Sequence, residues 1–170
     1  MNIEVGETLV YPHHGAVTIT DIQTRMIKGV ETRLMTLNVH TSELIIQLPV
    51  DNVELVGVRE VIDAAGVKAV YEVLTNEFTE EPGNWSRRYK ANQEKMASGS
   101  VYRVSEVVRD LWRRDQSKGV SAGEKRMLEK ARQILVSELA LAQSVTDEEA
   151  AERLLAVLRD VKIDEASIAS

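Results

Sequence analysis

Apolar residues change their repeat partway along the chain, and that change limits the fold to a sheet followed by helices. Before Gly57 they alternate. Val17 and Ile19 point one way, and Thr18 and Thr20 the other. Met35, Leu37 and Val39 repeat the pattern. So do Leu44, Ile46 and Leu48, with Ile45 and Gln47 on the opposite face. Residues 8–11 read as a first strand, Pro12-His13-His14-Gly15 as a turn, Lys28-Gly29 as a hairpin tip and Pro49 as a strand end. Short strands joined by tight turns predict a small antiparallel barrel or curled sheet. Phe78 is the only Phe, so the core of that sheet must be Val, Ile and Leu.

After Gly57 the spacing turns helical. Residues 59–65 and 67–74 read as two short helices parted by Gly66, and residues 75–83 as an acidic connector ending in Pro82-Gly83. Asn84 is a good N-cap for a helix from Trp85 to about Ala97. Gly99 suits a helix C-terminus and Ser100 the cap of the next. Val101, Val104, Val108 and Leu111 form one face of that helix. Trp112 joins the stripe as core, with Arg113 and Arg114 facing water. Ser121 and Glu124 fit a capping box for a long amphipathic helix, and residues 146–149 fit another for a final one. The expected division is a β-barrel over 1–56, short helices and connector over 57–83, a helical domain over 84–160 and a frayed tail over 161–170.

The 170 residues carry a net charge of −6, unevenly distributed. Residues 85–132 hold thirteen Lys and Arg against six Asp and Glu, a net +7, which leaves −13 for the rest. That asymmetry suggests one face for a polyanion and another for a different partner; a solvated helix face with i,i+4 ion pairs explains part of the pattern but not the excess of seven. The cations begin at a helix tip, where Arg87, Arg88 and Lys90 follow Trp85. Helix tips favour anions, and an aromatic beside phosphate-binding groups can touch both a base and its backbone. Spacing alone also allows Trp85 to open a buried stripe with Tyr89 and Met96.

Little points to catalysis or to a cofactor. His13 and His14 are adjacent, a poor arrangement for one metal, and no third ligand is suggested by spacing. No Gly-rich phosphate loop and no set of nucleophile, base and orienting group is present. Zero cysteines exclude disulfides and thiolate sites and fit a reducing cytosol. The first six residues lack the pattern of a signal peptide, and no apolar run approaches the ~20 residues of a membrane helix.

Four stretches together resemble the CarD/CdnL family of RNA polymerase-binding transcription regulators, in its actinobacterial CarD form. Residues 5–15, Val-Gly-Glu-Thr-Leu-Val-Tyr-Pro-His-His-Gly, are similar to its opening signature, shared with transcription-repair coupling factors. Residues 84–92, Asn-Trp-Ser-Arg-Arg-Tyr-Lys-Ala-Asn, resemble its DNA-binding helix, and residues 106–115 and 121–128 its later helices. The resemblance implies an α+β chain: an N-terminal Tudor-like or SH3-like barrel that binds the polymerase β subunit, then an all-α DNA-binding domain. It implies a non-enzymatic, cytoplasmic monomer, associated with the nucleoid through polymerase holoenzyme carrying the primary sigma factor. It implies no cofactor, membrane or small-molecule substrate. The partner would be promoter DNA at the upstream edge of the transcription bubble, where Trp85 wedges into the minor groove and stabilises the open complex. Arg87, Arg88, Lys90 and Lys125 would accompany it on DNA. Arg25, Ile27, Ile45 and Gln47 would contact polymerase. Where actinobacterial relatives often carry Arg, Gln47 keeps a donor but loses the charge and the fork. The alternative is a general nucleic-acid-binding module with no polymerase partner.

Overall fold

The computed structural model describes residues 1–78 and 83–160. Strands β1 (Thr8–Tyr11), β2 (Gly15–Ile27), β3 (Val30–Val39), β4 (Ile45–Pro49) and β5 (Arg59–Glu60) form one antiparallel sheet in the order β4-β3-β2-β1-β5. A 3-10 turn (Val50–Asn52) and helix α1 (Val53–Val56) connect β4 towards β5. Helices α2 (Ala64–Thr75), α3 (Trp85–Ala97), α4 (Val101–Ser117), α5 (Ala122–Gln143) and α6 (Asp147–Asp160) follow. This is the expected α+β arrangement. The expected break at Pro82 and the tail over 161–170 lie outside the described residues.

Alternation builds the sheet core. Leu9, Val17, Ile19, Met35, Leu37 and Leu48 share the inner face and are sealed by Val53 and Val58. Ile19 pairs with Leu37 but Asp21 with Thr36, a bulge at Thr20 that bends the strand and switches its parity. Beyond the bulge, β2 and β3 continue as an exposed hairpin arm. Lys28 (φ 50°) and Gly29 (φ 78°) make its two-residue tip, the left-handed pair that matches strand twist.

Three local expectations fail for identifiable reasons. Arg59 and Glu60 are not helical: they pair with Val10 and Leu9 as an edge strand. Two residues carry no readable period, and their pairing is set by a distant strand. Residues 64–75 form one helix, not two short ones. Asp63 caps it, its carboxylate accepting from the Gly66 amide at 2.9 Å. Gly66 lies in the first turn, where a Cβ would come within 2.7 Å of Ile62 Cβ, so glycine there permits close packing and breaks nothing. Leu44 precedes β4 and is 44% exposed, so it is not an inner-face residue.

Arg113 was expected at the surface and is buried. Its guanidinium donates to the carbonyls of Leu74 (3.2 Å), Asn76 (2.6 Å) and Phe78 (3.3 Å). Arg109 donates likewise to the Val73 carbonyl at 3.1 Å. The last carbonyls of a helix lack i+4 amide partners inside it. Two arginines of α4 satisfy part of that deficit. Trp112 is half-buried against the helical core.

The junction between sheet and helices is closely fitted. Arg59 on β5 forms two bonds to the Glu138 carboxylate of α5, at 2.7 and 2.8 Å, and donates to the Gly99 carbonyl at 3.0 Å. Glu138 is 1% exposed and also accepts from the Ile62 amide. Gly15 meets α5 directly: a Cβ there would lie 3.2 Å from both Ile134 Cγ2 and Ser137 Oγ, and its φ of 77° favours glycine anyway. The Pro12 ring fits between Gly57 and Gly99.

Candidate nucleic-acid interface

Two helix tips meet beside Trp85. Asn84 caps α3, its side-chain oxygen accepting from the Arg87 amide at 2.9 Å. Ser121 caps α5 in a complete capping box with Glu124. The indole Nε1–H donates to Ser121 Oγ at 3.0 Å, and the same oxygen accepts from the Glu124 amide at 3.1 Å. A hydroxyl oxygen has two lone pairs, so both bonds can coexist. The tips of α3 and α5 therefore superimpose the positive ends of two helix dipoles.

Trp85 is 47% exposed, so it does not open a buried stripe. Tyr89 stacks on it, ring centroids 5.1 Å apart and planes 18° off parallel. Stacking plus the Ser121 bond holds a large aromatic in the open, in one orientation. Such a side chain loses less freedom on binding than a loose one, a saving of about 0.5–1.5 kcal/mol.

Arg88 does not reach the surface. It is 8% exposed and clasps Glu124 through Nε–Oε2 at 2.8 Å and a second bond at 3.2 Å. Burial pushes the Glu124 carboxyl up, but hydrogen bonds from Arg88 and from the Ser121 amide outweigh it and hold the group below its ordinary value. Arg88 thus joins α3 to the N-terminal turn of α5 and fixes the mount on which Trp85 sits. Its expected place among DNA contacts is corrected accordingly. One residue is about 100° around a helix, which turns Arg88 inward while Arg87 stays exposed, and neighbouring cations in sequence gave no sign of that.

Arg87, Lys90 and Lys125 are exposed and make no ion pair among the described residues. Some other cations of α3–α5 are paired: Lys95 and Arg103 both with Glu106, and Arg132 with Glu129. Arg87 and Lys90 follow the tip of α3, and Lys125 follows that of α5. Tyr89 and Ser121, which hold the indole, were legible only as a stripe residue and a cap.

Register brings Arg25, Ile27, Ile45 and Gln47 to the outer face of the sheet. Arg25 opposes Thr32, Ile27 opposes Val30, Gln47 opposes Thr36 and Ile45 opposes Asn38, all out of phase with Met35 and Leu37. They form a strip and not a cluster. Ile45 and Ile27 lie eight β3 residues apart, about 27 Å at ~3.4 Å per residue. Ile45 is 60% exposed and Ile27 39%. The Arg25 guanidinium donates to Gln23 Oε1 at 2.9 and 3.1 Å, which holds it along the face.

The sheet, with its exposed apolar and polar outer strip, is thus locked to helices that present a mounted indole among exposed cations. Comparison with known proteins gives the class. The CarD-like/TRCF RID domain family matches residues 3–62, and the CarD C-terminal domain family matches residues 69–155. The chain belongs to the CarD-like family of transcription regulators. It is 28% identical over 146 residues to a protein named "Putative transcription factor YdeB" of Bacillus subtilis (strain 168), covering 86% of this chain and 95% of that one. It is also similar to the N-terminal domain of Myxococcus xanthus CarD in solution, at 24% identity and a TM-score of 0.31, over 35% of this chain and 79% of that one.

Proposed function

We propose that the chain bridges the RNA polymerase β subunit and promoter DNA and stabilises the open complex. The outer strip of the sheet, with Arg25, Ile27, Ile45 and Gln47, is the polymerase contact. Trp85 is the wedge at the upstream edge of the bubble, with Arg87, Lys90 and Lys125 on the backbone. The observation that carries this reading is the half-exposed indole, held by Ser121 and Tyr89 at two converging helix tips.

The mechanism needs no chemistry. A few phosphate contacts give weak, salt-sensitive binding that is blind to sequence. Attachment to polymerase raises the local concentration of the indole at the fork. Insertion there costs less than in paired DNA, because stacking is already broken. The chain therefore binds the open complex more tightly than the closed one and shifts that equilibrium. The Arg59–Glu138 ion pair joins the sheet that carries the tether to the helices that carry the wedge.

The test separates the two surfaces. Arg25→Glu should abolish co-purification of polymerase. Trp85→Ala should leave co-purification intact and remove the effect on open complexes. A Trp85 variant that also loses polymerase would defeat this division of labour.

A further inference from the structure

We infer that a groove behind Tyr89 is a further contact for the DNA phosphate backbone, one that brings the Pro12–Gly15 turn of the sheet onto the nucleic acid. This rests on the DNA reading of the helical tips. The groove has a volume of about 320 Å³ and is lined by His13, Tyr89, Gln93, Arg126, Met127 and Lys130, among others. Tyr89 and Gln93 sit one turn apart on α3, and Arg126 and Lys130 one turn apart on α5. Both pairs face the same space.

Three observations point to a polyanion. Among the described residues, no carboxylate lines the groove. Arg126 and Lys130 are exposed and make no ion pair among the described residues, whereas Arg132 on the same helix is paired. The third wall is His13, held at a φ of 69°. A residue with a Cβ pays about 1–2 kcal/mol for that left-handed conformation. Its exposed imidazole lines the groove from the sheet side.

Continuity identifies the occupant. Tyr89 stacks on Trp85 and also lines the groove. A strand wedged at the indole therefore has its neighbouring phosphates within reach of Arg126 and Lys130. Met127 and the tyrosine ring offer apolar surface to the sugars. A backbone seated here touches both modules at once, so DNA binding and the sheet–helix junction become coupled.

The experiment measures the full chain binding a forked promoter duplex across a range of KCl concentrations. Each phosphate contact contributes about 0.9 to the slope of log K against log salt. The Arg126→Gln/Lys130→Gln double variant should lose about 1–2 of that slope. Over a fourfold rise in salt its affinity should fall about 4- to 16-fold less than the wild type's. His13→Glu, an exposed change on the sheet side, should weaken binding several-fold by placing a carboxylate against the backbone. A wild-type slope in the double variant overturns the groove contact, and unchanged affinity in His13→Glu overturns the sheet's part in it. The DNA reading is scored separately, by whether the wild type prefers forked to fully paired duplex and Trp85→Ala does not.

Discussion

Replacing Glu124 by Gln tests whether a buried charge pair holds the mount of the indole. The change preserves volume, removes the charge and turns one acceptor oxygen into a donor amide. Glu124 is 1% exposed and receives two bonds from Arg88 and one from the Ser121 amide at 3.3 Å. Removing one member of a buried pair costs about 3–5 kcal/mol, because the other charge is left without its counterion. Gln keeps one acceptor, which places the loss near 3 kcal/mol. With an m-value of about 2 kcal/mol per molar urea, the midpoint should fall by about 1.5 M. Far-UV circular dichroism in urea reads this directly. The pH dependence gives a second arm. The Glu124 carboxyl is held below its ordinary value in the folded chain, so its contribution is present above the unfolded value of about 4.3. That contribution is lost as pH falls through the folded value. The gap between wild type and variant should therefore close on acidification. A loss below about 1 kcal/mol, the range of exposed pairs, would refute a buried clasp. So would a gap that widens as pH drops.

Other changes probe the junction. Glu138→Gln breaks the bidentate contact with Arg59 at a residue 1% exposed and should lower stability by about 3 kcal/mol, or about 6–12 °C in Tm; a shift under about 2 °C would contradict it. Gly15→Ala places a methyl 3.2 Å from Ile134 and Ser137 at a φ of 77°, so urea unfolding should show a loss of at least about 1 kcal/mol, and equal stability would count against close packing there. Ser121→Ala removes both a helix cap and the indole's hydrogen bond; it should cost about 1 kcal/mol and lower the steady-state anisotropy of tryptophan fluorescence, and unchanged anisotropy would mean that Tyr89 alone orders the ring.

Much of the fold was legible because it depends on short-range signals. Val17, Ile19, Met35 and Leu37 alternate, and they are the sheet core. Asn84, Ser100 and Ser121 are the residues that cap α3, α4 and α5. Trp85 at a helix tip was visible too, but its burial was not, since i, i+4 spacing fits a stacked surface pair as well as a core stripe. Charge was read less well. Arg88, Arg113 and Arg59 lie beside other charges in sequence, and nothing local separates a solvated arginine from one that clasps a carboxylate or caps a helix; Glu138 instead stands alone in the apolar stretch 134–142, a signal of burial that went unread. Their roles are fixed by groups 35 or more residues away, as the Arg88–Glu124, Arg113–Leu74 and Arg59–Glu138 bonds show. Strand β5 was missed for the same reason: its identity comes from β1.

The lifetime of open complexes on a single promoter, with polymerase saturated by wild-type or Trp85→Ala protein, puts the wedge to the most direct trial. Base–aromatic stacking of about 1–3 kcal/mol implies a lifetime about 5- to 150-fold shorter for the variant. Equal lifetimes, with the variant folded and still bound to polymerase, would leave the indole without the role given to it.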